Sequence, residues 1–163
     1  MRVRLLAVQP EYEAFLLTVY ASTRAEELAL TGWSAALQAD FVRSQYDAQQ
    51  LYYRSQFPTA EFQIVQYDGR SVGRLITEHT ETAIRLVDIA LLPEYRSHGI
   101  GTFLLNGLME EAKRGGKPIK LHVDGSNRAL HWYRRLGFEV VTEDGFYIAM
   151  VWEPAHASIS DTI

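Results

Sequence analysis

The chain has 163 residues, 47% hydrophobic and 12% aromatic, which is enough apolar material for one self-supporting core and too much for a disordered chain. A formal charge of −4 and a pI near 5.7, with acids and bases interspersed, exclude a broad field for holding nucleic acid and a polybasic segment for an anionic membrane. No cysteine is present, which excludes a disulfide framework, a thiol nucleophile and a cysteine-held metal, and fits a reducing cytoplasm.

Residues 1–8 are charged and apolar but meet Gln9-Pro10-Glu11 too soon for a signal peptide, and no later run reaches membrane-spanning length. Residues 3–8 read as a first strand, and Pro10 is placed to open a helix that Tyr12, Phe15, Leu16 and Val19 continue at helical spacing. Residues 24–33 read as a connector that mixes acids with Trp33. Ser34 is the expected N-cap of a second helix with Leu37, Phe41, Ala48, Leu51 and Tyr52 on one side, ended by Phe57-Pro58. From Glu61 the period becomes strand-like, and Asp68-Gly69 suits a tight turn between two hairpin strands. Residues 84–92 are nearly all apolar, as expected of a central strand covered on both faces, and Pro93 ends them.

A helix follows that turns Ile100, Phe103, Leu104, Gly107 and Leu108 inward until Gly115-Gly116 stops it. Residues 118–123 form the next strand and 127–136 the last helix, with Ala129, Trp132, Tyr133 and Leu136 on one face. Residues 138–142 and 146–152 close the chain as a hairpin, so 1–153 read as a single domain and 154–163 as a flexible tail.

The junction Arg96-Ser97-His98-Gly99-Ile100-Gly101 carries the strongest chemical signal. A strand precedes it and a helix follows it, so glycine-rich backbone and the unpaired amides of the helix start converge on one point, which favours an anion such as phosphate. Lys and hydroxyl residues that would hold magnesium in an NTPase loop are missing, as is a serine nucleophile elbow.

Arg96, Gly99 and Gly101 match the Arg/Gln-x-x-Gly-x-Gly/Ala signature of the GNAT superfamily of acetyl-CoA-dependent N-acetyltransferases, which the chain resembles from about Glu61 to Trp152. Family members most often have Gly where this chain has Ser97, and Lys, Arg or Gln where it has His98. The resemblance implies an α/β fold: a mixed, twisted sheet of about seven strands with about four helices, splayed between strands 4 and 5. It also implies that the amides of His98, Gly99, Ile100, Gly101 and Thr102 hold the pyrophosphate of acetyl-CoA, the cosubstrate, with Arg96 as a positive fork and Ser97 as a further cofactor residue, while the backbone of Ile89 and Leu91 pairs with its pantetheine arm.

A second stretch, Asn127 to Phe138, resembles the family's other motif, and many members have its Asn one residue earlier, where this chain has Ser126. By that likeness Asn127 is a further cofactor residue, and Tyr133 is the acid that protonates the leaving thiolate; the alternative for Tyr133 is a core aromatic. Asp88 interrupts an apolar strand and must have a task or a partner, so it is the candidate base, against a buried pair with Arg85 or Arg74. Glu26, Glu27 and Trp33 are candidates for holding a cationic acceptor, against a solvated face and a core tryptophan. The five histidines are scattered, and the lone pair His122 and Asp124 is no metal site, so no metal is expected.

The activity implied is transfer of an acetyl group to a primary amine by direct attack in a ternary complex. Its alternatives are a non-catalytic acyl-CoA sensor module of the same fold and an acyltransferase with another donor or acceptor. Expected partners are a small-molecule amine or a peptide or protein amine, with a homodimer admitted and neither nucleic acid nor membrane. The expected location is cytoplasmic.

Overall fold

The computed structural model describes residues 2–125 and 127–154. In chain order these form β1 (Val3–Ala7), a 3-10 turn (Pro10–Tyr12), α1 (Glu13–Ala29), α2 (Ala35–Gln56), β2 (Glu61–Tyr67), β3 (Arg70–His79) and β4 (Ile84–Leu91). After a second 3-10 turn (Pro93–Tyr95) come α3 (Ile100–Gly115), β5 (Ile119–Asp124), α4 (Ala129–Arg135), β6 (Glu139–Asp144) and β7 (Tyr147–Trp152). Among the described residues the strands make a seven-stranded sheet in the order β1-β2-β3-β4-β5-β7-β6. The β1/β2, β2/β3, β5/β7 and β6/β7 pairs are antiparallel and β4/β5 is parallel, which makes the sheet mixed as expected. The parallel ladder joins only Ile84 with Ile119 and Arg85 with Lys120, two of the eight residues of β4. No described helix is long and apolar enough to cross a membrane.

The chain divides into two compact units, the first made of Met1–Glu78 and Asp88–Gly101, the second of His79–Val87 and Thr102–Ile163. In the first, α1 and α2 pack on the β1–β3 meander through Leu16, Tyr20, Leu28, Val42, Tyr46 and Ile64. The Tyr20 and Tyr46 rings meet edge to face at 5.8 Å, a geometry their quadrupoles favour. Asp68 (φ 48°) and Gly69 (φ 84°) both take left-handed backbone, the paired requirement of the tight hairpin turn. Gly73 has a different reason to lack a side chain: a Cβ there would collide with the carbonyl oxygen of Ala90 on β4. It sits beside a bulge of β3 that leaves Val72 free to accept from the Leu92 N–H at 2.8 Å.

In the second unit β5 alternates cleanly, Ile119, Leu121 and Val123 inward and Lys120, His122 and Asp124 outward. Helix α3 contributes Leu104, Leu105, Leu108, Met109 and Ala112 to the core, and Gly116, at φ 63°, ends it with the left-handed residue that releases the chain from helical geometry.

Several expectations change. Residues 24–29 are the last turns of α1 rather than a connector, because Ala25, Glu26, Glu27, Leu28 and Ala29 are all good helix formers and Leu28 continues the buried face. Pro10 opens a 3-10 turn, with α1 starting three residues later. Ser34 does cap α2, its hydroxyl accepting from the Leu37 N–H at 3.2 Å. The buried face of α2 is Val42 and Tyr46, however, whereas Leu37, Leu51 and Tyr52 are exposed. Phe103, expected inward, is 47% exposed. On β4 Ile84 and Leu86, which share one face, are buried and the other residues only partly so, which departs from the expected strand covered on both faces. The last helix is shorter than expected by two residues at its start and one at its end, the closing hairpin begins one residue later, and Phe146 is exposed at its turn. Residues 155–163 of the expected tail, and Ser126, lie outside the described residues.

Candidate functional site

The first unit contains the glycine-bearing junction. Strand β4 ends where Leu92 N–H bonds to Val72, and Pro93–Tyr95 turns the chain, closed by the Arg96 N–H on the Pro93 carbonyl at 3.2 Å. The Arg96 side chain then folds back, its Nε donating to the Leu91 carbonyl at 3.0 Å, which ties the loop to the last residue of β4. Ser97 (φ 63°) and Gly99 (φ 82°) both hold left-handed backbone, two reversals within three residues. Gly99 adopts this freely, and a Cβ there would meet nothing within 4 Å, so the glycine is required by its backbone angle and the loop surface is open.

Ser97 adopts the angle where family members most often place Gly, at a cost of about 1 kcal/mol. Strained backbone of this kind points to a functional loop. Residues 96–99 are exposed and Ile100 is completely buried, so one apolar anchor fixes the helix start beneath an exposed loop. The first amides of α3 have no carbonyl one turn earlier to bond, and the helix dipole adds positive potential at the same place. The Tyr95 ring lies between Tyr67 at 6.2 Å and His98 at 6.3 Å, an aromatic row that braces the turn.

Ile89 and Leu91 lie in the Asp88–Leu91 segment of β4, the last strand segment of this unit, so their backbone belongs to its sheet edge. Asp88 begins the segment, and its Oδ2 accepts from Arg74 Nε at 2.6 Å. Arg74 is 3% exposed; its Nη2 donates to Gln49 Oε1 at 2.6 Å, and Nη1 is buried with no acceptor among the described residues. The partner weighed for Asp88 is therefore present, and Gln49 of α2 completes the cluster. Burial first, and then the Asp88 charge, push the Tyr53 phenol well above its ordinary range, so it stays protonated beside the pair. From the sequence Tyr53, like Tyr46 and Tyr52, reads as either core or cleft lining, and Gln49 reads as an ordinary residue of a helix face.

Glu26 and Glu27 stand in the last turns of α1, with Glu27 paired to Arg24 at 3.1 Å. Trp33 packs edge to face on Phe41 at 5.4 Å and is 39% exposed. None of the three lines the cavity of about 400 Å³ enclosed by α1, α2 and the β1–β3 meander.

In the second unit Tyr133 is 7% exposed, its ring 5.0 Å from Trp132 and 5.5 Å from Phe138. The Trp132 indole N–H donates to the Thr102 hydroxyl at 3.1 Å, which locks α4 to the first turn of α3. Asn127 uses its side-chain oxygen locally, accepting from the Ala129 N–H at 2.8 Å in the turn that leads into α4. His122 Nδ1 faces Arg85 Nη1 at 3.0 Å, and burial, then the Arg85 charge, lower its pKa.

A family model described as an acetyltransferase (GNAT) domain matches residues 58–140. The probable N-acetyltransferase san of Drosophila melanogaster is 36% identical over 95 residues, 56% of this chain and 50% of that protein. The ribosomal protein bS18-alanine N-acetyltransferase of Escherichia coli K12 is 36% identical over 83 residues, 50% of this chain and 55% of that one. The chain thus spans about half the length of these curated relatives. Among solved structures, the PaiA N-acetyltransferase of Thermoplasma acidophilum in complex with coenzyme A superposes with a TM-score of 0.70 at 23% identity, over 94% of this chain and 99% of that one, a likeness of fold.

Proposed function

Because the chain belongs to the GNAT acetyltransferase family, we propose that it is an N-acetyltransferase that moves an acetyl group from acetyl-CoA to a primary amine by direct attack in a ternary complex. The observation that carries this reading is the Arg96–Gly99 loop: two left-handed residues and a tethered arginine in front of a 16-residue helix whose start is anchored by buried Ile100. This backbone suits a pyrophosphate. The exposed loop, the open space at Gly99 and the positive helix end provide donors without a bulky side chain in the way.

In this reading the amides of residues 97–102 hold the pyrophosphate and the backbone of Ile89 and Leu91 holds the pantetheine arm. Bound acetyl-CoA supplies an activated thioester carbonyl. Arg96, through Leu91, keeps loop and strand in one register, so two parts of one ligand are positioned together, and positioning supplies much of the rate. The β4 amides polarise the carbonyl and the neutral amine attacks; as the C–S bond breaks Tyr133 gives a proton to the departing thiolate, and the proton lost by the amine nitrogen passes through solvent and restores the phenol. That last role rests on the motif around Tyr133, and Asn127, a further cofactor residue in this reading, is held by the turn that leads into the same helix. Asp88, fixed by Arg74, is a stationary negative charge that attracts an ammonium group; acting as base it would have to work from within the ion pair. The acceptor is a small-molecule, peptide or protein amine.

The test is calorimetric titration with acetyl-CoA followed by thiol release with a panel of amines. Binding by the wild type, lost in Gly99→Trp, together with amine-dependent thiol release, is the expected result. Absence of binding by the wild type would overturn the acetyltransferase reading, and binding without turnover by any amine would replace it with an acyl-CoA sensor.

A further inference from the structure

We propose that the cavity of about 400 Å³ in the first unit binds a small zwitterion in which an ammonium and a carboxylate are separated by one peptide unit. Its volume lies within the range of small-molecule pockets, roughly 300–1,000 Å³. Its lining includes none of the residues assigned above to acetyl-CoA or the acceptor.

The charge arrangement identifies the ligand. At one end Glu13 and Asp47 share a single cation, Arg43, at 2.8 and 3.4 Å, so one negative charge is left over. At the other end Arg54 lies over the Phe62 ring at 4.7 Å, and among the described residues no carboxylate pairs with it, so one positive charge is left over. Asp47 and Arg54 are seven residues apart on α2, two helical turns and about 10 Å along one face.

Contacts of about 3 Å at each end leave a charge separation of roughly 4–5 Å. Consecutive Cα atoms across one peptide bond stand about 3.8 Å apart, so a dipeptide bridges that gap where a single α-amino acid falls short. The cavity provides a donor for the amide of such a ligand in Gln50 on α2, which lies between Asp47 and Arg54 in the chain, and Arg74 is part of the same lining. Since Arg74 Nε holds Asp88, the ligand would also bear on the β4 edge.

The experiment is calorimetry of the full chain, without acetyl-CoA, against alanylalanine, its N-acetyl form and its C-terminal amide, so its outcome does not depend on the proposed transfer reaction. Alanylalanine is expected to bind with a Kd of about 1 mM or tighter, and each capped form at least about tenfold more weakly. Arg54→Gln should abolish the preference for the free carboxylate, and Asp47→Asn the preference for the free amine; both residues are exposed, and unchanged circular dichroism would show each variant folded. No binding by the wild type, equal binding of the capped forms, or unchanged preferences in the folded variants would each overturn the proposal.

Discussion

The Arg96–Gly99 loop and the Arg74–Asp88–Gln49 cluster belong to the same compact unit and are built on opposite principles. The loop is a backbone device: two left-handed residues separated by one, exposed, with a single side-chain tether. The cluster is a side-chain device, assembled from α2, β3 and β4 across gaps of 14 and 25 residues, and buried. Local backbone geometry can change without endangering the core, whereas a buried charge network is part of the core. Acetyl-CoA binding and stability should therefore separate between the two.

The largest effect tests that separation directly. Asp88→Ala leaves the 3% exposed Arg74 guanidinium without its countercharge, and a loss of about 3–5 kcal/mol is expected in denaturant unfolding. Any folded fraction should still bind acetyl-CoA. Wild-type stability in this variant would show that the pair is not a structural one.

Next is Gly99→Val. A β-branched residue is forced to φ 82°, at a cost of about 1–3 kcal/mol to the loop conformation, and a tenfold or greater loss of acetyl-CoA affinity with the sheet core intact is expected by calorimetry. Ser97→Gly sharpens the same point in reverse: relief of the left-handed strain, partly offset by a more flexible unfolded chain, should raise stability by a few tenths to about 1 kcal/mol.

The smallest effect is a pH dependence that belongs to the second unit. His122 is held below its ordinary pKa of about 6.5, so the unfolded chain binds a proton first as pH falls. Stability should be fully present above that value, decline as pH drops from it toward the folded-state pKa, and level off below. His122→Gln should flatten this slope in unfolding midpoints, and a wild-type slope in the variant would assign it elsewhere.

The same contrast explains what the sequence made legible. The succession of strands and helices along the chain, the hairpin at Asp68-Gly69, the Ser34 cap and the loop at Ser97 and Gly99 depend on neighbours in the chain, and each left a local mark. The Asp88 partner was legible only as a need, since an acid in an apolar strand demands one, while the choice of Arg74 and the arrival of Gln49 depended on how α2 lies over β3 and β4. Helix α2 also misled, because its apolar residues Leu37, Leu51 and Tyr52 follow helical spacing yet face solvent, while the buried side runs through Val42 and Tyr46. Helical spacing identifies a face but not what covers it. The role of Glu26 was read on a connector that is helix, since nothing in Ala25 to Ala29 breaks one.

The bond from the Trp132 indole to the Thr102 hydroxyl turns the molecule into its own optical instrument. The chain has three tryptophans, and Trp33 and Trp152 stand elsewhere, on Phe41 and against Gly137. With those two replaced by phenylalanine, the remaining fluorophore is wired to the opening turn of α3, and its emission should report any event there in real time, without label or coupled assay.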